Sequence, residues 1–176
     1  MTRSFERRDF LKLGGATAAL AAAGCATTKP DAKAKVVVVG GGFGGATAAK
    51  YLRLWSPSVE VTLVERLPSF TSCPMSNLVY GGSKTMADIS FSYGGLQRYG
   101  VRVVQDDAKA VDTTARVVQL ARGGELHYDR LIVSPGIDFT YGDISGYEAA
   151  MESGRVLHAW KAGPQTLALQ RQLAEM

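Results

Sequence analysis

The feature that most constrains this sequence is a glycine cluster placed directly between an apolar strand and a helical stretch. Residues 36–39 are four consecutive valines, a pattern typical of a strand buried on both faces of a parallel sheet. The glycine-rich residues 40–45 follow at once, and residues 46–54 are predicted to form a helix. This order of strand, tight turn and helix predicts an α/β fold with the turn at the carboxyl end of a strand.

Three of these glycines, Gly40, Gly42 and Gly45, have the spacing of a dinucleotide-binding fingerprint. In that fingerprint the first glycine makes the turn, the second lets the backbone approach a pyrophosphate, and the third allows the helix to pack closely on the strand. A second predicted strand, residues 59–64, ends at Glu65. That acid stands about 20 residues after the last fingerprint glycine, where a carboxylate binds the adenosine ribose. The alternative is a glycine-rich turn beside an exposed glutamate, but the complete order of elements favours a dinucleotide site.

The amino terminus has the pattern of a twin-arginine export signal. Arg7 and Arg8 precede a run of small and apolar residues, 13–23, that is too short to span a bilayer as a helix. The alternative is a basic, alanine-rich amphipathic helix. We therefore assign residues 1–33 to a signal peptide and linker, exclude them from the fold, and predict a periplasmic protein.

Two kinds of processing are compatible with the end of the signal. Residues 21–23 are alanines that permit ordinary cleavage near Gly24, and residues 22–25 also resemble a lipoprotein processing site ending at Cys25. Alanine at position 22, where a larger aliphatic residue is usual, makes lipidation the less favoured of the two. Attachment to a membrane is predicted only in the lipidated case.

The charge and the cysteine content exclude two other classes of protein. The net charge of +4 owes about half to residues 1–12, so the remainder of the chain is nearly balanced and does not indicate nucleic-acid binding. Only Cys73 accompanies Cys25, which does not make a disulfide framework. Cys73 precedes Pro74 at the predicted start of a short helix, where a thiol would be reactive. The alternative is a small buried residue, and the residues alone leave both open.

Several segments together resemble the flavoprotein subunit of flavocytochrome c sulfide dehydrogenase, a family of flavoproteins with two dinucleotide-binding domains. They are residues 35–52, 59–65, 72–77, 128–136 and 158–163, and they cover nearly all of the chain after the signal. The resemblance implies FAD as the cofactor, bound covalently through a thioether between Cys73 and the 8α-methyl carbon of the flavin. It also implies a c-type cytochrome subunit as partner and sulfide as the small-molecule substrate.

The expected fold is a Rossmann-like FAD-binding domain of the glutathione-reductase type. Its parallel sheet would continue in residues 101–104 and 129–136. Residues 108–112, 116–120 and 125–128, separated by turn signals, are predicted to form an inserted antiparallel β-meander. Residues 34–176 would form the amino-terminal part of this domain, which is incomplete at its carboxyl end and finishes in a helix, residues 165–176, leading to a second domain.

The candidate cofactor-binding residues join the fingerprint positions to those that the resemblance implies. They are Gly40, Gly42, Phe43, Gly44, Gly45, Glu65, Arg66, Cys73, Ala108, Ser134, Pro135 and Gly136. Ala108 is expected near the adenine by resemblance, and residues 134–136 either approach the cofactor or form an ordinary strand end. His127 is predicted to be structural, His158 and Trp160 are predicted to pack on the sheet, and a place for Lys161 near the flavin is a further hypothesis.

The predicted function is that of the FAD-binding part of a periplasmic sulfide dehydrogenase, an oxidoreductase that transfers electrons from sulfide through the flavin to a c-type cytochrome. The redox disulfide that the family implies has no counterpart here, so no catalytic or metal-binding residue is predicted and the chain is expected to be an amino-terminal fragment. One alternative is a sulfide:quinone or NAD(P)H-type flavoprotein reductase. Another is a non-catalytic, truncated flavin-binding module.

Overall fold

A computed structural model describes residues 33–176, and the predicted export signal, most of the linker and Cys25 lie outside the described residues. In chain order the elements are β1 (Ala34–Val39), α1 (Phe43–Trp55), β2 (Val59–Val64), β3 (Ser69–Thr71), α2 (Ser76–Tyr80), β4 (Ser90–Ser92), α3 (Gly94–Arg98), β5 (Arg102–Val104), β6 (Ala108–Asp112), β7 (Val117–Leu120), β8 (Glu125–His127), β9 (Arg130–Val133), α4 (Tyr147–Glu152) and α5 (Pro164–Ala174). Two single-turn 3₁₀ helices, Cys73–Met75 and Ala87–Ile89, precede α2 and β4. No helix within residues 33–176 is both long and apolar enough to cross a membrane.

Four parallel strands form the central sheet in the order β5-β2-β1-β9. The strand β1 lies in the middle, paired with β2 on one side and β9 on the other, and α1 makes the crossover from β1 to β2. The carboxyl ends of all four strands therefore meet at one edge of the sheet, where open α/β sheets bind their ligands. The predicted α/β class with a Rossmann-like parallel sheet is confirmed.

The sheet is covered on both faces, which explains the unbroken run of valines in β1. Val36 and Val38 pack with α1 and the region of α3 on one face, whereas Val37 packs with Val118 of β7 on the other. Successive strand residues point to opposite faces, so a strand covered on both sides must be apolar at every position. Val38 and Val118 have no exposed surface.

The predicted β-meander is present. β6, β7 and β8 form a separate antiparallel sheet in which β7 lies in the middle. The buried side chain of Val118 joins this sheet to the central one. The segment before β5 ends at Gly100, which follows α3 with φ +80°, a conformation that favours glycine at a helix end.

Three local features differ from the sequence-based expectations. The helix α1 begins at Phe43 and not at residue 46, and its first turn includes two glycines. β3 and β4, which the sequence does not predict, pair as a short antiparallel ribbon with Phe70 opposite Phe91. Each strand of this ribbon has only three residues and its partner lies about twenty residues away, so no local pattern indicated it. The helix α4 is also additional and follows Gly146, whose φ is +78°.

Candidate dinucleotide site

The glycine loop lies between the ends of β2 and β9 at the carboxyl edge of the sheet. The Gly40 amide donates a hydrogen bond to the Val64 carbonyl at 2.9 Å, and the Ser134 amide donates to the Val39 carbonyl at 2.8 Å. These bonds continue the parallel pairing beyond the last strand residues. As a result the loop is fixed from both sides before α1 begins.

Two glycines of the loop are required by the chain itself. Gly40 has φ +98°, and a Cβ atom there would overlap the Ser134 carbonyl. Gly45, in the first turn of α1, lies against Gly40, so a Cβ atom there would overlap the Gly40 carbonyl oxygen. These are the turn and the close helix–strand contact that the first and third fingerprint glycines provide. A Cβ at Gly44 would also lie only 2.7 Å from Ser134 Oγ.

Gly42 differs, because none of residues 33–176 crowds it. The nearest atom to a Cβ at this position would be Phe70 Cε2 at 3.6 Å, which is an ordinary contact. Gly42 is also the N-cap of α1 and supplies no side chain to the helix, and the first turn contains no acidic residue. The first amides of a helix lack intrahelical partners and carry the positive end of its dipole. This combination of free amides and open space fits an anionic diphosphate.

The Glu65 carboxylate fixes the other side of the loop. Its Oε2 accepts a hydrogen bond from the Gly41 amide at 2.7 Å, and its Oε1 accepts one from the Leu67 amide at 2.9 Å. Each carboxylate oxygen can accept more than one hydrogen bond, so both retain capacity for a further donor. A ribose hydroxyl is such a donor, and the position directly after β2 is the one that the fingerprint predicts.

One residue of the loop's surroundings was missed by the sequence analysis. Tyr93, just before α3, is only 7% exposed, and its phenol ring fills the space beside Gly41. Burial raises the pKa of Tyr93 to about 12, with a smaller contribution from the negative charge of Glu65. The hydroxyl therefore stays protonated at physiological pH. No sequence signal marked Tyr93, since the contact joins residues that are 52 positions apart.

Phe43 connects the loop to the segment that carries Cys73. Its ring meets the Phe70 ring edge to face, with centroids 4.9 Å apart. Phe70 belongs to β3, and Cys73 begins the 3₁₀ helix two residues after that strand. The Ser76 hydroxyl donates to the Cys73 carbonyl at 2.7 Å. The Cys73 side chain is exposed, so the alternative of a small buried residue at this position is wrong.

The remaining predicted residues differ in their burial and in what they contact. Pro135 follows Ser134 and its Cα lies near the position that a Cβ of Gly40 would occupy. Gly136 is exposed with φ +78°, and Arg66 is an exposed residue directly after Glu65. Ala108 is half-buried and packs with the cluster of Val37 and its neighbours beneath the meander. These placements leave the cofactor roles of Arg66, Ala108 and Gly136 as predictions.

The region before α5 does not pack as predicted. Trp160 is exposed, so the expectation that it packs on the sheet is wrong. His158 instead contacts a loop, where its Nε2 lies 3.2 Å from the hydroxyl of Tyr141 and the two rings stack. Lys161 makes an ion pair with Asp138 at 2.7 Å, with both side chains more than half exposed. His127 is exposed at the end of β8.

Comparison with known proteins places this fold and loop in a family. The pyridine nucleotide-disulphide oxidoreductase family matches residues 34–170. The chain belongs to this family. Residues 4–24 match the signal sequence of the twin-arginine translocation pathway, so the predicted export signal is confirmed although it lies outside the described residues.

The most informative relatives act on sulfide. Over 45 residues the chain is 64% identical to the flavoprotein chain of sulfide dehydrogenase (flavocytochrome c) from Chlorobaculum thiosulfatiphilum, covering 26% of this chain and 94% of that one. This similarity confirms the family resemblance drawn from the sequence. Sulfide-quinone reductase from Aquifex aeolicus is 28% identical over 139 residues, which cover 73% of this chain and 32% of that protein.

A solved structure shows the same architecture. The sulfide:quinone oxidoreductase of Aquifex aeolicus superimposes with a TM-score of 0.70 at 27% identity, covering 80% of this chain and 32% of that one. The chain therefore spans about a third of the length of the sulfide-quinone enzymes that it matches.

Proposed function

We propose that this chain forms the FAD-binding part of an exported sulfide dehydrogenase that passes electrons from sulfide to a c-type cytochrome. The observation that carries the proposal is the open space at Gly42, where the free amino terminus of α1 lies beside the Glu65 carboxylate. The similarity to a flavocytochrome c flavoprotein chain supports sulfide as the substrate and a cytochrome as the partner. Both belong to the whole protein, because this chain spans only a part of its longer relatives.

Each part of the loop has a role in binding FAD. The amides at the start of α1 would bind the diphosphate, and the Glu65 carboxylate would accept hydrogen bonds from the adenosine ribose. Residues 134–136 would bring backbone close to the cofactor. Bound FAD supplies an acceptor for electron pairs that can release electrons one at a time to a haem. The negative charge of Glu65 would disfavour a dinucleotide with a 2′-phosphate.

We further propose that Cys73 holds FAD covalently through a thioether to the 8α-methyl carbon. Two observations support this role: the Cys73 side chain is accessible, and the contact between Phe70 and Phe43 ties its segment to the glycine loop. A covalent bond would keep the cofactor on a protein that works outside the cytoplasm. Lipidation of Cys25, and hence attachment to a membrane, is an alternative outcome of export.

The experiment that tests both proposals is acid precipitation of the purified protein, followed by a search for flavin in the pellet. The parent chain is expected to retain flavin in the pellet, the variant Cys73→Ser to bind flavin but release it into the supernatant, and the control Cys25→Ser to behave as the parent. Flavin retained by Cys73→Ser would refute the thioether. Absence of flavin from the native parent protein would refute FAD binding itself.

A second candidate function is a sulfide:quinone reductase, which the structural similarity to the Aquifex enzyme favours. The two are separated by supplying sulfide to the native protein with either a c-type cytochrome or a short-chain quinone as acceptor. Reduction of the cytochrome alone is expected. Reduction of the quinone alone would favour the second function.

A further inference from the structure

Gly41 is held between two side chains that come from different parts of the fold. Its amide donates a hydrogen bond to Glu65 Oε2. A Cβ atom added at Gly41 would lie 2.5 Å from the hydroxyl oxygen of Tyr93 and 2.7 Å from Cζ and Cε1 of the ring. Gly41 is not one of the three fingerprint positions, so the fingerprint does not itself require glycine here. The Tyr93 ring does, because it occupies the space that a side chain would need.

The position of the Tyr93 ring is fixed by the core. It packs in the same cluster as Val36, Val38 and Leu63, on the face of the sheet covered by α1. The ring therefore cannot move away without opening a space in that cluster. Tyr93 thus connects the core directly to the backbone of the glycine loop.

The Tyr93 hydroxyl makes no hydrogen bond to another residue of 33–176, and its oxygen is not one of the fully buried, unpaired atoms of that range. A hydroxyl that borders the glycine loop and bonds to no described residue is available to donate a hydrogen bond to a ligand there. The raised pKa keeps this group a donor. The ionised Glu65 carboxylate, which bonds to the Gly41 amide, can only accept hydrogen bonds.

A ribose–diphosphate unit requires both kinds of group, because its hydroxyls donate and accept whereas its phosphate oxygens only accept. We infer that Tyr93 is a further residue of the dinucleotide site, whose hydroxyl donates a hydrogen bond to the ribose–diphosphate portion of the cofactor while its ring positions Gly41. This inference rests on the proposed function, since it assumes that the loop binds FAD. It assigns the donor role to Tyr93 and the acceptor role to Glu65, the two side chains that lie against Gly41.

The test uses the full chain in a Cys73→Ser background, so that binding is reversible whether or not the parent forms a thioether. FAD and ADP are titrated by calorimetry, ADP being the portion of FAD without the flavin. Tyr93→Phe removes only the hydroxyl and is expected to raise the dissociation constants for FAD and ADP by the same factor, about three- to tenfold. Its unfolding temperature should stay the same, since the hydroxyl bonds to no other residue in the described part of the chain. The control Tyr51→Phe, an exposed tyrosine on α1, should leave both constants unchanged.

The role of the ring is tested without any cofactor by hydrogen exchange at the Gly41 amide. Tyr93→Leu should accelerate this exchange, because the ring no longer holds the loop, whereas Tyr93→Phe should not. If the background protein binds FAD and Tyr93→Phe binds it equally well, the inference about the hydroxyl is refuted and the proposed function stands. If the background protein does not bind FAD, the proposed function is refuted together with this inference. Equal exchange rates in all variants would refute the positioning role.

Discussion

The contact between Gly41 and Tyr93 leads to a prediction about stability that does not depend on any ligand. The variant Gly41→Ala would place a methyl carbon 2.5–2.7 Å from three atoms of the phenol, whereas nonbonded atoms meet at about 3.5–4.0 Å. Relief of the overlap requires a displacement of roughly 1 Å by the loop or the ring. The backbone angle is not part of the problem, since Gly41 is not among the described residues with positive φ.

Neither partner can make that displacement freely. The loop is held by the hydrogen bond from Gly41 to Glu65, and the ring is buried in the core cluster. Overpacking of this kind costs about 1–3 kcal/mol of the free energy of unfolding. Gly95→Ala is the matched control, because it makes the same chemical change in α3 with no atom within 4 Å of the new Cβ. Gly95 lies in the first turn of α3, where alanine reduces the entropy of the unfolded chain and should stabilise the protein by about 0.4–1 kcal/mol.

A double-mutant cycle separates the contact from general effects on the loop. Tyr93→Leu alone should destabilise the protein by about 2–3 kcal/mol, because it leaves a cavity in the core. Combined with Gly41→Ala, the new methyl group no longer meets the ring, so the total loss should be smaller than the sum of the single losses by about 1–2 kcal/mol. Urea denaturation followed by circular dichroism measures all four proteins. Additive losses, or a Gly41→Ala variant as stable as the Gly95→Ala control, would show that the overlap does not determine this position.

Three other predictions address the loop and an exposed ion pair. Gly45→Ala should abolish FAD binding and lower the free energy of unfolding by more than about 3 kcal/mol, because its methyl group would overlap the Gly40 carbonyl. FAD titration and urea denaturation measure these two effects. A stable variant that binds FAD would contradict the role of the third glycine. Glu65→Gln should weaken FAD binding about tenfold, because an amide nitrogen replaces one of the two acceptor oxygens. Calorimetry measures the affinity. An unchanged affinity would show that Glu65 does not bind the cofactor. Asp138 has its pKa lowered by the hydrogen bond from Lys161, then by the bond from a backbone amide and by the positive charge of Lys161. The ion pair should therefore persist at and above the pH at which an ordinary aspartate ionises, and be lost as the pH falls below it. Lys161→Met should raise the pKa of Asp138, which an NMR titration of the carboxyl group measures. An unchanged pKa would contradict the pairing.

The sequence predicted those parts of the fold that depend on neighbouring residues. The four valines of β1 showed a strand covered on both faces, and the turn signals at residues 113–114 and 122–124 separated the strands of the meander. The glycine spacing located the loop, and the distance along the chain located Glu65 beside it. In each case the pattern that was used lies within one element, one turn or one strand–helix–strand unit.

The features that were missed depend on contacts between distant residues. The start of α1 at Phe43 was missed because glycine is a poor helix former, yet close packing of Gly45 on Gly40 requires glycine in that turn. The role of Tyr93 comes from its contact with a glycine that lies 52 residues earlier in the chain. Trp160 was expected to pack on the sheet because it precedes a helix, but the loop before α5 leaves it in solvent. Propensity and spacing do not contain such information.

The loop's organisation also bears on when the cofactor can bind. Within residues 33–176 the loop is fixed by the Val64 carbonyl, the Glu65 carboxylate, the Tyr93 ring and the Ser134 backbone, all of which belong to the folded chain. Contacts within the folded chain therefore hold the loop, and a loop held in this way loses little conformational entropy when a ligand binds. The twin-arginine pathway exports proteins that are already folded, and residues 4–24 carry its signal. A site held by the folded chain itself would allow FAD to bind in the cytoplasm, where it is made, and the proposed bond to Cys73 would then retain it after export.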